Sequence, residues 1–364
     1  MKYFRRNIVA MEPYVPGIQP KEKGWLKLNT NENPFPPSPR AIESAIAALN
    51  GNLALYPDPK ADELRKTIGD IYHVGADMVI AGNGSDEILS IIARAFLDRG
   101  RKALIVHPTY SLFSTIAEIQ GAKIIRQKLN SDFTLNEEIF TKKADCAFIA
   151  NPNPQAGTLF SIGQMERLAR TIGGILVIDE AYVDFAPRNC LPLVRKYKNV
   201  IITRTLSKSY SLAGMRIGFA ISNRIIIDGL MKIKDSYNLN RISQIIAVEA
   251  LKDREYFKKN TEEIIRQRKF LSKALKTLGF EVLPSASNFI LVKPPSSIKA
   301  KKLYQELLAR KVLIRFFDTK ELKSYLRISV GNQAQNNDLL KAIKLSFIRF
   351  GVDYPETPFG VVKF

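Results

Sequence analysis

Cysteine, histidine and tryptophan are scarce in this chain: two, two and one among 364 residues. Cys146 and Cys190 alone exclude a disulfide framework and a cysteine-rich metal site. With only His73 and His107, a zinc centre built from histidines is excluded too. No run of about 18 apolar residues occurs, so no membrane-spanning helix is expected. The start, MKYFRRNIVAMEPYVPG, is basic but lacks the apolar core of a secretion signal. A soluble, cytoplasmic protein with no membrane partner is the expectation. Acidic residues are in deficit, 35 against 55 lysines and arginines, for a net charge of +20. Yet no zinc-finger spacing, RNA-binding signature or helix-turn-helix pattern accompanies that charge, so nucleic acid is not an expected partner. The basic residues are spread, with clusters at 195–198, 266–276 and 299–302. The second cluster reads as the solvated face of an amphipathic helix.

What is present is an ordinary globular composition, 46% hydrophobic and 25% charged, which excludes bulk disorder and low complexity. The length suits one large domain and one smaller one. The first forty residues are dense in turn signals, from Pro13 to Pro37, and read as an arm with little regular structure. Helices are predicted over 39–49 and 61–72. Short apolar strands then alternate with helical stretches: strands at 79–81, 103–106, 123–127, 146–150, 174–178, 200–203 and 218–221, with helices at 86–97, 111–120 and 161–171. This alternation predicts βαβ units and a mostly parallel sheet, an α/β fold. One long helical region is predicted over 241–278, followed by strands near 290–293, 312–315 and 325–330. The expected division is an arm at 1–40, a large domain at 41–250, and a small α+β domain at 251–364 that packs with the arm.

Ligands of open α/β sheets bind beyond the carboxyl ends of the strands. At those ends lie Gly82-Asn83-Gly84-Ser85-Asp86, Pro108-Thr109-Tyr110, Asn151-Pro152-Asn153, Asp179-Glu180-Ala181-Tyr182 and Thr205-Leu206-Ser207-Lys208. Lys208, among small hydroxylic residues, is placed to form a Schiff base with an aldehyde cofactor near a phosphate. Taken singly it reads as a surface lysine in a loop. Asp179 ends the apolar run Ile175-Leu176-Val177-Ile178, where a carboxylate can keep a pyridine nitrogen protonated. A pair at about 4 Å in an effective dielectric near 20 interacts by roughly 4 kcal/mol, about three pK units. The other reading of Asp179 is a helix N-cap.

These residues, with Asn31-Glu32-Asn33-Pro34, Tyr56-Pro57-Asp58, Gly214-Met215-Arg216-Ile217-Gly218, Asn288-Phe289 and Leu326-Arg327-Ile328, follow one order and spacing. The chain resembles the fold-type I, pyridoxal-phosphate-dependent aminotransferases of classes I and II, and among them the histidinol-phosphate aminotransferases, from Tyr14 to Gly331. The resemblance implies pyridoxal 5'-phosphate as cofactor and small-molecule substrates, an amino donor and a 2-oxo acid. It implies that Lys208 carries the cofactor and then moves the substrate proton. Asp179 would pair with the ring nitrogen, Tyr182 and Asn153 would bond the ring oxygen, and Tyr110 would stack on the ring. Gly84, Ser85 and Asp86 open a helix whose amides suit the phosphate, with the Asp86 carboxylate expected to turn away. Thr205, Ser207 and Arg216 would complete the phosphate site. Tyr56 would reach the phosphate of a second subunit in a homodimer with shared active sites. Arg327 would anchor substrate, with Arg315, Tyr14 and Asn31 beside it.

Two places depart from the family's pattern. The family shows Asn-Pro-Thr-Gly where this chain has Asn151-Pro152-Asn153-Pro154-Gln155-Ala156-Gly157, without the threonine. Arg241 stands where many relatives have a small residue and would alter substrate choice if it entered the pocket. Transfer between L-histidinol phosphate and 2-oxoglutarate, as a step of histidine biosynthesis, is the leading expectation. An aromatic or broad-specificity aminotransferase, a threonine-phosphate decarboxylase-like lyase and a non-enzymatic binding protein are the alternatives. Intact Lys208, Asp179 and Arg216 argue against the last.

Overall fold

The computed structural model describes residues 3–11 and 17–353. The first strand, β1 (Leu26–Lys27), lies in the N-terminal segment. The next seven are β2 (Val79–Asn83), β3 (Lys102–His107), β4 (Lys123–Lys128), β5 (Cys146–Ala150), β6 (Ile175–Asp179), β7 (Val200–Thr205) and β8 (Ile217–Ile221). They form one sheet in the order β2-β8-β7-β6-β5-β3-β4. All pairings are parallel except those of β8, which runs antiparallel to both β2 and β7. β5, β7 and β8 are buried along their whole length. Burial on both faces is why these strands read as continuous apolar runs rather than alternating ones.

Helices cover both faces. The helix Ser85–Phe96 follows β2 directly and buries Ile88, Leu89, Ile91 and Ile92. Each such side chain contributes about 1.5–3 kcal/mol of transfer free energy. The helix Ile162–Thr171 opens with a capping box, Ser161 and Gln164 each bonding the other's backbone N–H.

The later strands are β9 (Glu281–Val282), β10 (Phe289–Lys293), β11 (Val312–Leu313), β12 (Arg315–Phe316) and β13 (Leu326–Ser329). Four of them make an antiparallel sheet, β12-β13-β10-β9, over a second core that includes Leu303, Ile328 and Phe347. β1 pairs in parallel with β11, and Ser329 N donates to Leu28 O at 2.9 Å. The N-terminal segment is thereby stitched to the small sheet.

Strands β1 and β9 are absent from the sequence-based expectation, being two residues each with no alternation to read. The long helical region at 241–278 is two helices, Arg241–Lys252 and Arg254–Thr277. The break falls at Asp253, whose carboxylate accepts from Tyr256 N (3.2 Å) and from Ser38 Oγ (2.5 Å). An aspartate that caps one helix costs less than one held in a helix interior. Among the described residues no helix is long and apolar enough to cross a membrane.

Candidate active site

A cavity of about 240 Å³ lies between the carboxyl ends of the seven-stranded sheet and the four-stranded sheet, and Lys208 and Asp179 both line it. Asp179 ends β6, opposite Thr203 of β7 in the strand register. Its carboxylate is 5% exposed and accepts a hydrogen bond from Thr203 Oγ1 at 3.0 Å. Burial pushes its pKa up to about 7; the Thr203 bond pulls the other way, and Asp86 and Glu180 add to the rise. Glu180, next in the chain, points into the core instead and pairs with buried Arg204 at 2.6 Å.

β7 ends at Thr205. The Thr205 hydroxyl donates to Ile217 O (3.1 Å) and accepts from Ser207 N (3.1 Å). That turn delivers Ser207 and Lys208 to the cavity wall. Asn33 Nδ2 holds the Lys208 backbone carbonyl at 2.9 Å. Lys208 Nζ donates to Thr30 O at 3.2 Å and lies 5.6 Å from the centre of the Tyr182 ring.

Asn31 is the joint between the N-terminal segment and both sheets. It sits at φ +56°, a left-handed conformation that asparagine adopts more readily than other side-chain-bearing residues. Four bonds hold it there. Its N donates to Ser329 Oγ (2.8 Å), its Oδ1 accepts from Ser329 Oγ (3.1 Å), and its carbonyl accepts from Asn288 Nδ2 (2.9 Å). Its Nδ2 donates to Tyr182 OH at 3.0 Å, which fixes the tyrosine ring already packed edge-on against Phe289.

On the opposite side, Gly84 at φ +83° turns β2 into the helix Ser85–Phe96. A Cβ on Gly84 would lie 2.6 Å from Arg216 Nη2, and one on Gly218 would lie 2.2 Å from Ser85 N. The helix N-terminus is thus packed backbone-to-backbone against β8, leaving Ser85 and Asp86 at the cavity with Arg216 beside them. Asp86 corrects one expectation. Its carboxylate lines the cavity, accepting from Arg216 Nη2 (2.9 Å) and Tyr110 OH (3.0 Å). The arginine and the phenol, both cavity-lining, draw it inward.

The small sheet supplies two cations. Arg315 of β12 stands directly opposite Arg327 of β13 in the antiparallel register, and both line the cavity. Arg327 donates to Pro154 O (2.8 Å), Asn29 O (3.1 Å) and Gln155 Oε1 (3.4 Å), with its guanidinium 5.2 Å from the Phe289 ring and 5.3 Å from that of Phe317. Arg315 Nε is buried without a hydrogen-bond partner.

Three of the expected site residues, Gly84, Asn153 and Tyr56, do not line the cavity. Asn153 is fully buried, and its amide is committed to its own loop: Nδ2 donates to Pro108 O (3.0 Å), and Oδ1 accepts from Gln155 N and Ala156 N. The bond to Pro108 O uses one of the two N–H groups of Nδ2. Tyr56 is 78% exposed and stacks on Tyr237 at 4.5 Å. Arg241 donates to Tyr56 O at 2.9 Å and does not line the cavity, so the condition for its altering substrate choice is not met. Tyr14 lies outside the described residues. Sequence reasoning missed Asn29, Thr30, Gln155 and Phe317. The first two adjoin the Asn31 motif and were within reach; Phe317, in a loop of the small sheet, carries no sequence signal.

The family profile described as "Aminotransferase class I and II" matches residues 23–343. The chain belongs to that family. It is 43% identical to the histidinol-phosphate aminotransferase of Geobacter sulfurreducens, over 94% of this chain and 98% of that one. It is 44% identical to that of Syntrophotalea carbinolica, over 94% and 99%. Its structure is similar to that of the histidinol-phosphate aminotransferase of Sinorhizobium meliloti in complex with pyridoxal-5'-phosphate, with TM-score 0.85, 25% identity and 95% and 99% coverage. This aminotransferase takes pyridoxal 5'-phosphate, and the residues present fit it. A helix N-terminus with Arg216 alongside suits the phosphate. A buried carboxyl at Asp179, ionised only reluctantly by itself, suits a facing pyridinium. An amine at Lys208 suits the aldehyde.

Proposed function

We propose that this aminotransferase moves an amino group from L-histidinol phosphate to 2-oxoglutarate. The observation that carries the reading is the rung formed by Arg315 and Arg327. Like charges directly opposite on a sheet repel, so the pair is held at a cost that a bound anion offsets. Histidinol phosphate has a phosphate and no α-carboxylate; 2-oxoglutarate has two carboxylates. Two guanidinium forks serve the phosphate of the first and a carboxylate of the second, in turn, at one site. The shared printed name of the relatives supports the same donor.

Bound pyridoxal 5'-phosphate supplies the electron sink for the pair left when the donor's C–H bond breaks. The chain's own residues do the rest. Lys208 Nζ would tether the cofactor and, once displaced, would carry the proton away from the amine-bearing carbon. Asp179 would keep the cofactor's ring nitrogen protonated, and that cation would restore the ionised carboxylate that burial disfavours. Tyr182, set by Asn31, would donate to the ring oxygen, and Tyr110 would stack on the ring. Backbone N–H groups of Ser85 and Asp86, with the Ser207 and Thr205 hydroxyls and Arg216, would hold the phosphate. Asn153 holds the loop that carries Gln155.

The reading includes a homodimer. Exposed Leu49, Leu53, Leu55 and Tyr56 (63%, 51%, 63% and 78%) form an apolar stretch too large to leave to water, beside the stacked Tyr237. A second copy of the chain covers it, and Tyr56 then reaches the phosphate site of the other protomer. The test of the anchor is Arg327→Ala. Both half-reactions should lose about a hundredfold or more in kcat/KM, roughly 3 kcal/mol. A variant that lost only one substrate would break the shared-anchor reading.

A further inference from the structure

We infer that Gln155 is a positioning residue that sets how Arg327 meets the anionic group of either substrate. The inference deepens the reading above and rests on Arg327 being the substrate anchor. Gln155 lies in the loop that departs from Asn-Pro-Thr-Gly, and it lines the cavity. Its backbone is fixed first: Asn153 Oδ1 accepts from Gln155 N at 2.9 Å. Its side chain is then oriented, because Nε2 donates to Thr109 O at 3.1 Å. With the amide nitrogen spent there, the amide oxygen faces Arg327 Nη1 at 3.4 Å. One side chain thereby bridges the segment after β3 of the large sheet to β13 of the small one.

The length of that contact matters. At 3.4 Å it is longer than a normal N–H···O bond of about 2.7–3.2 Å. A neutral oxygen at that distance steadies the guanidinium yet yields to a charged substrate oxygen. A carboxylate in the same place would not yield. It would form an ion pair with Arg327 and compete with every anionic substrate. The identity of the residue at 155, neutral rather than acidic, therefore tunes anion affinity at the anchor.

The experiment compares wild-type holoenzyme with Gln155→Glu and Gln155→Ala in single-turnover reactions at pH 8, with L-histidinol phosphate and separately with L-glutamate. Each variant is expressed as a ratio to wild type. Gln155→Glu should weaken apparent substrate binding at least tenfold, with the rate at saturation changed less than threefold. Gln155→Ala should weaken binding of both substrates only a few-fold, because the alanine removes a contact whereas the carboxylate competes for Arg327. A merely structural role would make the shape-preserving Gln155→Glu the milder of the two. A penalty in Gln155→Glu no larger than in Gln155→Ala, or unchanged binding in Gln155→Ala, overturns the inference. If wild type fails to react with L-histidinol phosphate, the donor assignment falls, and the glutamate ratios still decide the role of Gln155.

Discussion

Asp179 carries the clearest residue-scale consequence, because its carboxyl is buried and its pKa stands at about 7. In the unfolded chain the same group titrates near 3.9. Between those values the native state binds a proton that the unfolded state has released, so stability falls as pH rises through that window. The loss is complete above about pH 7 and amounts to roughly 4 kcal/mol at most, from three pK units at about 1.4 kcal/mol each. Cofactor-free Asp179→Asn should therefore melt at a higher temperature than cofactor-free wild type at pH 8, with the gap closing near pH 4. Adding pyridoxal 5'-phosphate should reverse the order, since only the carboxylate pairs with a ring cation. Thermal unfolding of both proteins at several pH values, with and without cofactor, checks this; no gap at pH 8 would contradict it. Residues of this kind were legible in the sequence because chemistry is concentrated at strand ends. Lys208, Asp179 and Tyr182 stand next to apolar runs, and the structure brings them to one cavity. Asn153 sits at such an end too, and an asparagine after a strand serves a turn as readily as a ligand; here its amide bonds its own loop and Pro108 O. Gln155 gives no sequence signal beyond a motif that fails to match.

At the scale of elements, the joint between β8 and the helix Ser85–Phe96 positions the phosphate site. Gly218 is needed there for close approach, since a Cβ would come within 2.2 Å of Ser85 N and 2.5 Å of the Gly84 carbonyl carbon. Gly218→Ala must push the helix start away from β8, an overpacking cost of about 1–3 kcal/mol. Cofactor affinity should fall at least tenfold in the same variant, measured by fluorescence titration of the cofactor-free protein. Stability loss without loss of cofactor affinity would show that the joint does not shape the phosphate site. Most strands of the large sheet could be read from the sequence, because doubly buried strands are short, β-branched and closed by Gly, Pro or Asp. The antiparallel entry of β8 could not, since direction is set by tertiary packing and leaves no local pattern. The break at Asp253 was hidden for a related reason: helical periodicity continues across it, and Ser38, far away in sequence, bonds the aspartate that caps Tyr256 N.

The whole molecule unites two sheets around one cavity, and the exposed stretch from Leu49 to Tyr56 is where the proposed second copy would dock. Tyr56 is outside its own cavity, so Tyr56→Ala should weaken cofactor binding only if a partner protomer receives it. The expected result is a dimer by light scattering for both proteins and a several-fold weaker cofactor affinity for the variant. A monomeric wild type, or an unchanged affinity, would contradict the shared site. None of this association was legible in composition, because the apolar stretch is short and interrupted by Asn50, Gly51 and Asn52. The net charge of +20 is visible in the sequence, and the family resemblance already put Arg315 near Arg327; the structure adds that they stand directly opposite across two strands. The central claim is the donor. The most direct measurement is a single-turnover absorbance titration of the yellow holoenzyme with L-histidinol phosphate and no 2-oxo acid. The account predicts stoichiometric loss of the yellow band to a stable aminated form, reversed on adding 2-oxoglutarate. A band unchanged by L-histidinol phosphate, but bleached by an aromatic amino acid, would contradict it.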